Sequence, residues 1–401
     1  MATQSALCQT SDDVKDLLTN IFKTNSYNKN VRPTTDQTSA LQLSINLFLV
    51  SIIDIDEVKG KLTATAYLEL KWTDEHMIWS STKFNGVNIL YIPQNDIWKP
   101  DIALSNGFNS KTQLGDDLIL VIVESSGELT WFPYEVLTTT CYIDVSNFPF
   151  DTQTCDIAFD VWVSPESAVN VEVGDQGINL ESCYDNEEWE ILSTSSRKEI
   201  APVDGSTVRF AITMKRRPEY YFYNIVIPVM LMSLLAIFTF VIPIDSGEKL
   251  GFGTTVYLAL VVFLTIVGDT LPVTSTQSLL SKYILFLVVI GIAIVMVTAI
   301  ELRIHYRDSV SHRIPTSLKG LVRFSRKLQC QRSHKISDAK KTNQLGKDVH
   351  GSLPEQGRAT VSEEMTWPDV TSAIDFVCFW LFLTTNIAVS FVLFIGGYIE
   401  S

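Results

Sequence analysis

Four long apolar runs constrain this chain more than any other feature. They are Tyr221 to Ile244, Leu250 to Leu271, Tyr283 to Ile300 and Phe376 to Tyr398, and Asp269 is the one charged residue among them. Each is about the ~20 residues that a helix needs to cross a bilayer core. In hydrocarbon every backbone N–H and C=O must find a partner inside the protein, which favours helices for such runs. A fully buried helix of a soluble protein could imitate one of them, but four in one chain point to spanning helices. The segment Arg303 to Lys347 carries twelve Lys and Arg residues against Asp308 and Asp338. Such a segment is expected to stay on the cytoplasmic side. Three crossings precede it, so everything before Tyr220 is expected outside, and a fourth crossing returns Ser401 to the outside.

The part before Tyr220 follows another rule. Leu41, Leu43, Ile45 and Leu47 alternate with polar residues, as do Leu62, Ala64, Ala66, Leu68 and Leu70, and again Val208, Phe210, Ile212 and Met214. Lys59-Gly60, Asn106-Gly107 and Ser126-Gly127 punctuate the runs. Short alternating strands at this spacing predict an antiparallel β-sandwich of immunoglobulin-like kind. Ahead of it, Leu17, Leu18, Ile21 and Phe22 recur at helical spacing, which predicts a helix over Ser11 to Phe22 capped by Ser11. This half is acidic, with a net charge of −16, whereas the remainder is +2. That asymmetry speaks against nucleic acid as a partner and for attraction of cations, although it would equally serve solubility. No apolar leader follows Met1, and an outside amino terminus needs one, so Met1 is expected not to be the natural start. Ile314 to Leu328 reads either as an amphipathic helix at the membrane face or as a plain loop.

The most specific local motif is Cys141-Tyr-Ile-Asp-Val-Ser-Asn-Phe-Pro-Phe-Asp-Thr-Gln-Thr-Cys155. A disulfide between its ends would stabilise by roughly 3 kcal/mol in the chain-entropy model. Its tip, Phe148-Pro149-Phe150-Asp151, is expected to be exposed. In spacing and tip the motif resembles the eponymous loop of the Cys-loop receptors, the pentameric ligand-gated ion channels. Trp72-Thr-Asp74, Trp98-Lys-Pro-Asp101, Asn186-Glu-Glu-Trp189, Arg216-Arg217, Pro228, Asp245-Ser-Gly-Glu-Lys249 and Leu271-Pro272 are similar to further signatures of that family, in the family's order. The chain is most similar to the nicotinic acetylcholine receptor-like, cation-selective branch, as a divergent member of invertebrate type.

In the second run, Glu248, Gly251, Thr255, Leu258, Val262, Ile266 and Asp269 recur at three- and four-residue steps, which is one face of a helix. That face is acidic at both ends, small and polar in its lower part and apolar in the middle. Periodicity alone would also allow Leu258 and Val262 to face lipid. The resemblance implies that five copies line a pore, with acidic rings for ion selection and an apolar girdle that gates by dewetting. The family's anion-selective members carry a Pro-Ala insertion that Ser246-Gly247-Glu248 lacks. Cation selectivity is therefore implied, with Asp245 as a further inner ring and Lys249 off the pore axis.

For coupling of ligand to pore, the resemblance implies Glu57, Phe148, Pro149, Asp151, Arg217 and Pro272, with Glu57 or Asp151 pairing with Arg217. For the ligand site between subunits it implies Trp162, seven residues after Cys155, and Tyr67 on the complementary side. Trp131 is expected at the same site. Ser105 stands where a tyrosine is usual, and Ser196 to Val208 holds neither a vicinal cysteine pair nor an aromatic residue. Acetylcholine is therefore a poor expectation, and a more amphipathic or differently charged agonist a better one.

Cys183 either pairs with Cys8 or stays free. The histidines are scattered, no CxxC occurs, and neither a nucleophile motif nor a phosphate-binding glycine loop is formed, so neither an enzyme nor a cofactor is expected. The expected layout is an extracellular ligand-binding β-sandwich over residues 1–219 and three spans of a four-helix bundle over 220–302. A cytoplasmic loop would follow over 303–371, and the last span over 372–401. Expected partners are four further subunits, an extracellular small-molecule agonist, permeant cations and membrane lipid, at the plasma membrane and at synapses. The alternatives are an auxiliary subunit that conducts only in heteromers, or a four-span adhesion or scaffold protein.

Overall fold

The computed structural model describes residues 9–109, 114–116, 118–200, 205–269, 277–307, 314–328 and 365–399. The chain divides into two compact units that part in sequence between Pro218 and Glu219.

The first unit opens with a helix, α1 (Ser11–Thr19). Its cap is Thr10 rather than Ser11, because Thr10 alone has an acid three residues on. The Asp13 N–H donates to Thr10 Oγ1 at 3.3 Å while the Asp13 carboxylate accepts from the Thr10 N–H at 2.8 Å. That reciprocal pair satisfies two otherwise orphan donors at the helix start. Eleven strands follow: β1 (Leu41–Asp56), β2 (Lys61–Thr73), β3 (Ile89–Pro93), β4 (Ile102–Leu104), β5 (Leu120–Glu124), β6 (Glu128–Trp131), β7 (Tyr134–Thr140), β8 (Thr152–Val161), β9 (Val169–Asn179), β10 (Trp189–Ile200) and β11 (Ser206–Arg216). Among the described residues they form two sheets. One runs β3-β5-β6-β2-β1-β9 with β7 also on β2, and the other runs β10-β11-β8-β4. Pairing is antiparallel except for β9, which lies parallel to β1. The alternation explains the sandwich. Leu43, Ile45, Leu47 and Leu49 of β1 are fully buried, as are Val208, Phe210, Ile212 and Met214 of β11. Each such side chain contributes about 1.5–3 kcal/mol by leaving water. Phe210 meets Phe159 of β8 edge-on, with ring centres 6.2 Å apart.

The second unit is helical. Among the described residues, four helices are long and apolar enough to cross a membrane: Glu219–Val241, Lys249–Gly268, Leu279–His305 and Trp367–Leu393. They are called the first to fourth spans below. The first contains a π-turn at Phe222–Val226 just before Pro228. Proline lacks an N–H and its ring crowds the preceding turn, so a widened turn is a common accommodation. The four spans share a core. Ala236, Ile237 and Phe240 of the first span and Val256 of the second pack with Ile290 and Ile294 of the third, against Phe379, Phe382 and Leu383 of the fourth. Polar bonds cross it: Asn386 Nδ2 donates to Ser233 Oγ at 2.8 Å, and the Tyr283 and Ser390 hydroxyls lie 3.0 Å apart. Thr316–Leu328 is a helix, and its Val322 packs on Trp367, Val370 and Ala373 of the fourth span. Most of the remaining basic segment lies outside the described residues.

Candidate functional site

Three places bring chemistry together, and the first is centred on Arg216. Val208, Phe210, Ile212 and Met214 face the core, so the next residue in step, Arg216, does too. Its side chain has no exposure. Nε donates to Asp151 Oδ1 at 2.9 Å, one terminal nitrogen to Glu188 Oε1 at 2.9 Å and the other to Glu57 Oε1 at 2.6 Å. The guanidinium carbon sits 4.1 Å from the centre of the Trp189 ring and 5.0 Å from that of Phe148. A planar five-donor fork suits this multiple pairing, as a lysine would not. Burial pushes the Glu57 carboxyl above its usual range, against the opposing pull of Arg216.

Two expectations are corrected here. Arg216, not Arg217, pairs with Glu57 and Asp151. Arg217 is out of step on the strand; its N–H donates to the Glu188 carbonyl at 2.8 Å. It also lines a cavity of about 300 Å³ with Cys183 and Tyr184. Nor is the loop tip exposed: Phe148, Pro149 and Asp151 are buried and Phe150 half-buried. The reason is electrostatic and apolar at once, since Arg216 draws Asp151 inward and lies over the Phe148 ring. The Cys141–Cys155 disulfide is formed, with its Cα atoms 5.2 Å apart. Gln153 braces the loop, its amide donating to the Asp144 carbonyl and to Asp151 Oδ2 at 2.8 and 2.6 Å. Cys183 carries a free thiol. Cys8 and Pro272 lie outside the described residues.

The second place is the face of the four-stranded sheet. Trp162 follows β8 and is 60% exposed. Its N–H donates to the Asp101 carbonyl at 2.9 Å, and the Ser105 N–H donates to the Ala158 carbonyl at 2.7 Å. In the β4–β8 pairing Ser105 therefore stands beside Ala158 and Trp162 beside Asp101, at the two ends of β4. Tyr67 belongs to the other sheet, half-buried and stacked on Phe48 with ring centres 4.7 Å apart. Trp131, expected at the ligand site, is a core residue instead. It is 1% exposed, and its Nε1 donates to Gln94 Oε1 at 2.9 Å. Alternation in β6 turns it inward with Leu129. Where the β10–β11 hairpin lacks aromatics it carries charge. Arg197 lies 2.8 Å from Glu199 and 3.7 Å from Asp156, while Arg209 pairs with Glu199 and lies 3.4 Å from Asp156. Hydrogen bonds from Arg197 and then Arg209 hold the Glu199 carboxyl below its usual range.

The third place is the second span. Glu248, Gly251, Thr255, Leu258, Val262 and Ile266 all lie on its exposed side. Leu258, Val262 and Ile266 are 62%, 50% and 55% exposed, whereas Val256, Leu260 and Val267 on the other side are buried. Asp269 ends this helix, and its side chain lies outside the described residues. Asp245 is exposed and sits 3.1 Å from His305 Nε2. Lys249 points the opposite way from the exposed stripe, into the bundle. There its Nζ meets Glu301 of the third span at 2.9 Å and Asp375 of the fourth. Neither acid was singled out from the sequence. Each lies one residue beyond an apolar run, and a charge at that position in two runs, at the same end as Lys249, was the available signal.

Comparison with known proteins supplies the identity. Residues 14–218 match the neurotransmitter-gated ion-channel ligand binding domain, and residues 225–350 the neurotransmitter-gated ion-channel transmembrane region. The chain is similar to neuronal acetylcholine receptor subunit beta-4 of Bos taurus, 30% identical over 78% of this chain and 63% of the relative. It is similar as well to acetylcholine receptor subunit alpha-type unc-38 of Caenorhabditis elegans, 31% identical over 78% of this chain and 66% of the relative. With neuronal acetylcholine receptor subunit alpha-3 of Rattus norvegicus it shares 29% identity over 74% of this chain and 60% of the relative. The chain thus spans a little under two thirds of the length of these relatives. Both regions match in order, and the first alone covers half of the chain: the chain belongs to the neurotransmitter-gated ion-channel family.

Proposed function

We propose that this chain is one subunit of a pentameric, cation-selective channel opened by a small molecule bound outside the membrane between subunits. The observation that carries the reading is the stripe from Glu248 to Ile266, which no other described part of the chain covers. Four further subunits would enclose it around a pore. Glu248 would then form an acidic ring that favours cations, and Leu258, Val262 and Ile266 a girdle that excludes water when closed. The β-sandwich would lie outside the plasma membrane and the basic segment inside, with both termini outside and synapses as the natural setting. Trp162 with Ser105, and Tyr67 on the other sheet, suit a ligand held between two copies. The hairpin offers Arg197, Arg209 and Glu199 where a quaternary ammonium would need ring faces, so the agonist is a small amphipathic or zwitterionic molecule rather than acetylcholine.

The test is whole-cell current from cells expressing Leu258→Thr alone. A hydroxyl in the girdle wets the closed pore, so a standing leak is expected without agonist. Its reversal potential should follow external sodium when sodium is replaced by a large impermeant cation. Surface protein without leak, also when a related subunit is co-expressed, would overturn the reading and favour the adhesion alternative. The absence of aromatics from Ser196 to Val208 favours one second reading, a subunit that conducts only in heteromers. Leak that appears only on co-expression would establish it.

A further inference from the structure

The second span places a cation and an anion side by side, Lys249 after Glu248, at what the pore reading makes the inner mouth. Adjacent helical positions are about 100° apart, and a lysine stem is long enough to bring its ammonium to either side. In the structure it is turned wholly inward, and the Lys249 side chain is 3% exposed. Its ammonium lies 2.9 Å from Glu301 Oε2 on the third span, bonds Asp375 Oδ1 on the fourth, and sits 5.7 Å from the Phe240 ring centre on the first. One cation thus touches all the other spans. Glu301 is 1% and Asp375 17% exposed. A buried ammonium that loses a carboxylate becomes costly and moves toward water. On this helix the direction to water is the exposed stripe that begins at Glu248.

We propose that Glu301 and Asp375 set the charge of the pore mouth without facing it, by holding the Lys249 ammonium inside the bundle. They are positioning residues for ion selection, and Glu248 is the residue that the ions meet. Free of its two acids, the ammonium swings to the mouth and offsets the Glu248 ring, one cation per anion. The inference rests on the pore reading of the second span.

The test uses the full chain in the Leu258→Thr background, with a related subunit where the chain alone is silent. Unitary conductance is recorded, together with the reversal potential in a sodium chloride dilution gradient. Glu301→Gln and Asp375→Asn should each lower sodium conductance about two- to fivefold and move the reversal potential toward that of chloride. Adding Lys249→Gln to either should restore both quantities, which a merely structural role for the acids would not do. Acid variants that reach the surface with unchanged conductance and reversal potential overturn the proposal, and so does failure of Lys249→Gln to restore them. If a single acid variant does not reach the surface, the Glu301→Gln/Lys249→Gln pair is recorded instead. A wild-type reversal potential supports the proposal, and a shifted one overturns it. Glu248→Gln separates the two levels. If it too changes nothing, the pore reading falls; if it alone shifts selectivity, only this inference falls.

Discussion

The two units solve the same problem, a buried cation, in opposite ways. In the β-sandwich, Arg216 faces three carboxylates and two aromatic rings, and one of those acids, Glu188, is half exposed. In the helix bundle, Lys249 has two carboxylates, one of them fully enclosed. The first centre can share its excess negative charge with water through the half-exposed Glu188, so it has redundancy. The second has far less access to water, so each of its acids counts. The arginine centre acts as a hub that ties β11 to the β1–β2 turn, the disulfide loop and the start of β10. The lysine centre acts as an anchor that keeps one ammonium in one orientation.

That contrast can be broken most forcefully at the hub itself. Arg216→Gln leaves Asp151 buried and unpaired beside Glu57, and breaking such a cluster costs about 3–5 kcal/mol. Folded protein at the cell surface should largely disappear, while Arg217→Gln should leave it near wild type. Equal surface levels in the two variants would return the pairing to Arg217. The next effect compares single acids across the centres. Glu301→Gln removes an enclosed partner and should lower stability by on the order of 2 kcal/mol. Glu188→Gln removes a half-exposed one and should cost under about 1 kcal/mol. Thermal unfolding of the two purified variants in detergent reads the difference, and a reversed order would undo the contrast. The smallest effect is in pH. The folded-state pKa of Glu57 lies above its ordinary value of 4.5. The folded protein therefore holds this proton more tightly than the unfolded chain. Stability from this group is full below pH 4.5 and declines as pH rises through the raised value. Glu57→Gln should flatten that part of the stability–pH curve, as followed by thermal unfolding from pH 4 to 7. An unchanged slope would mean that Arg216 fully offsets the burial.

Periodicity made much of this legible. A step of two read along β11 marks the buried strand face, and four long apolar runs mark the spans. Both signals come from the same physics that drives burial, so they survive without any partner being known. What stayed hidden depends on partners far away in sequence. Arg216 and Glu57 are 159 positions apart, and Lys249 and Asp375 are 126 apart. The step of two already placed Arg216 inward, and the similarity of two adjacent arginines concealed it. The tip Phe148–Asp151 was expected outside because loops usually lie there, and a buried guanidinium reversed that rule locally. Trp131 was mistaken for a ligand contact for a related reason. An aromatic side chain serves a core or a site equally well, and only the strand's facing decides between them. In the second span the three- and four-residue steps marked one face and that face is exposed, but periodicity alone left open whether it meets a pore or lipid.

The hydroxyls on and beside that stripe carry a last consequence. Thr255 Oγ1 donates to the Gly251 carbonyl at 2.8 Å, Thr254 Oγ1 to the same carbonyl at 2.9 Å, and Thr265 Oγ1 to the Val262 carbonyl at 2.7 Å. Each of these hydroxyls is already satisfied within its own helix, so none demands a neighbour. Under the assembly proposed above, these hydroxyls would not bar a single subunit from waiting in lipid before its partners arrive. On that reading the lifetime of the unassembled pool, rather than any defect in its fold, would govern how many complete assemblies form.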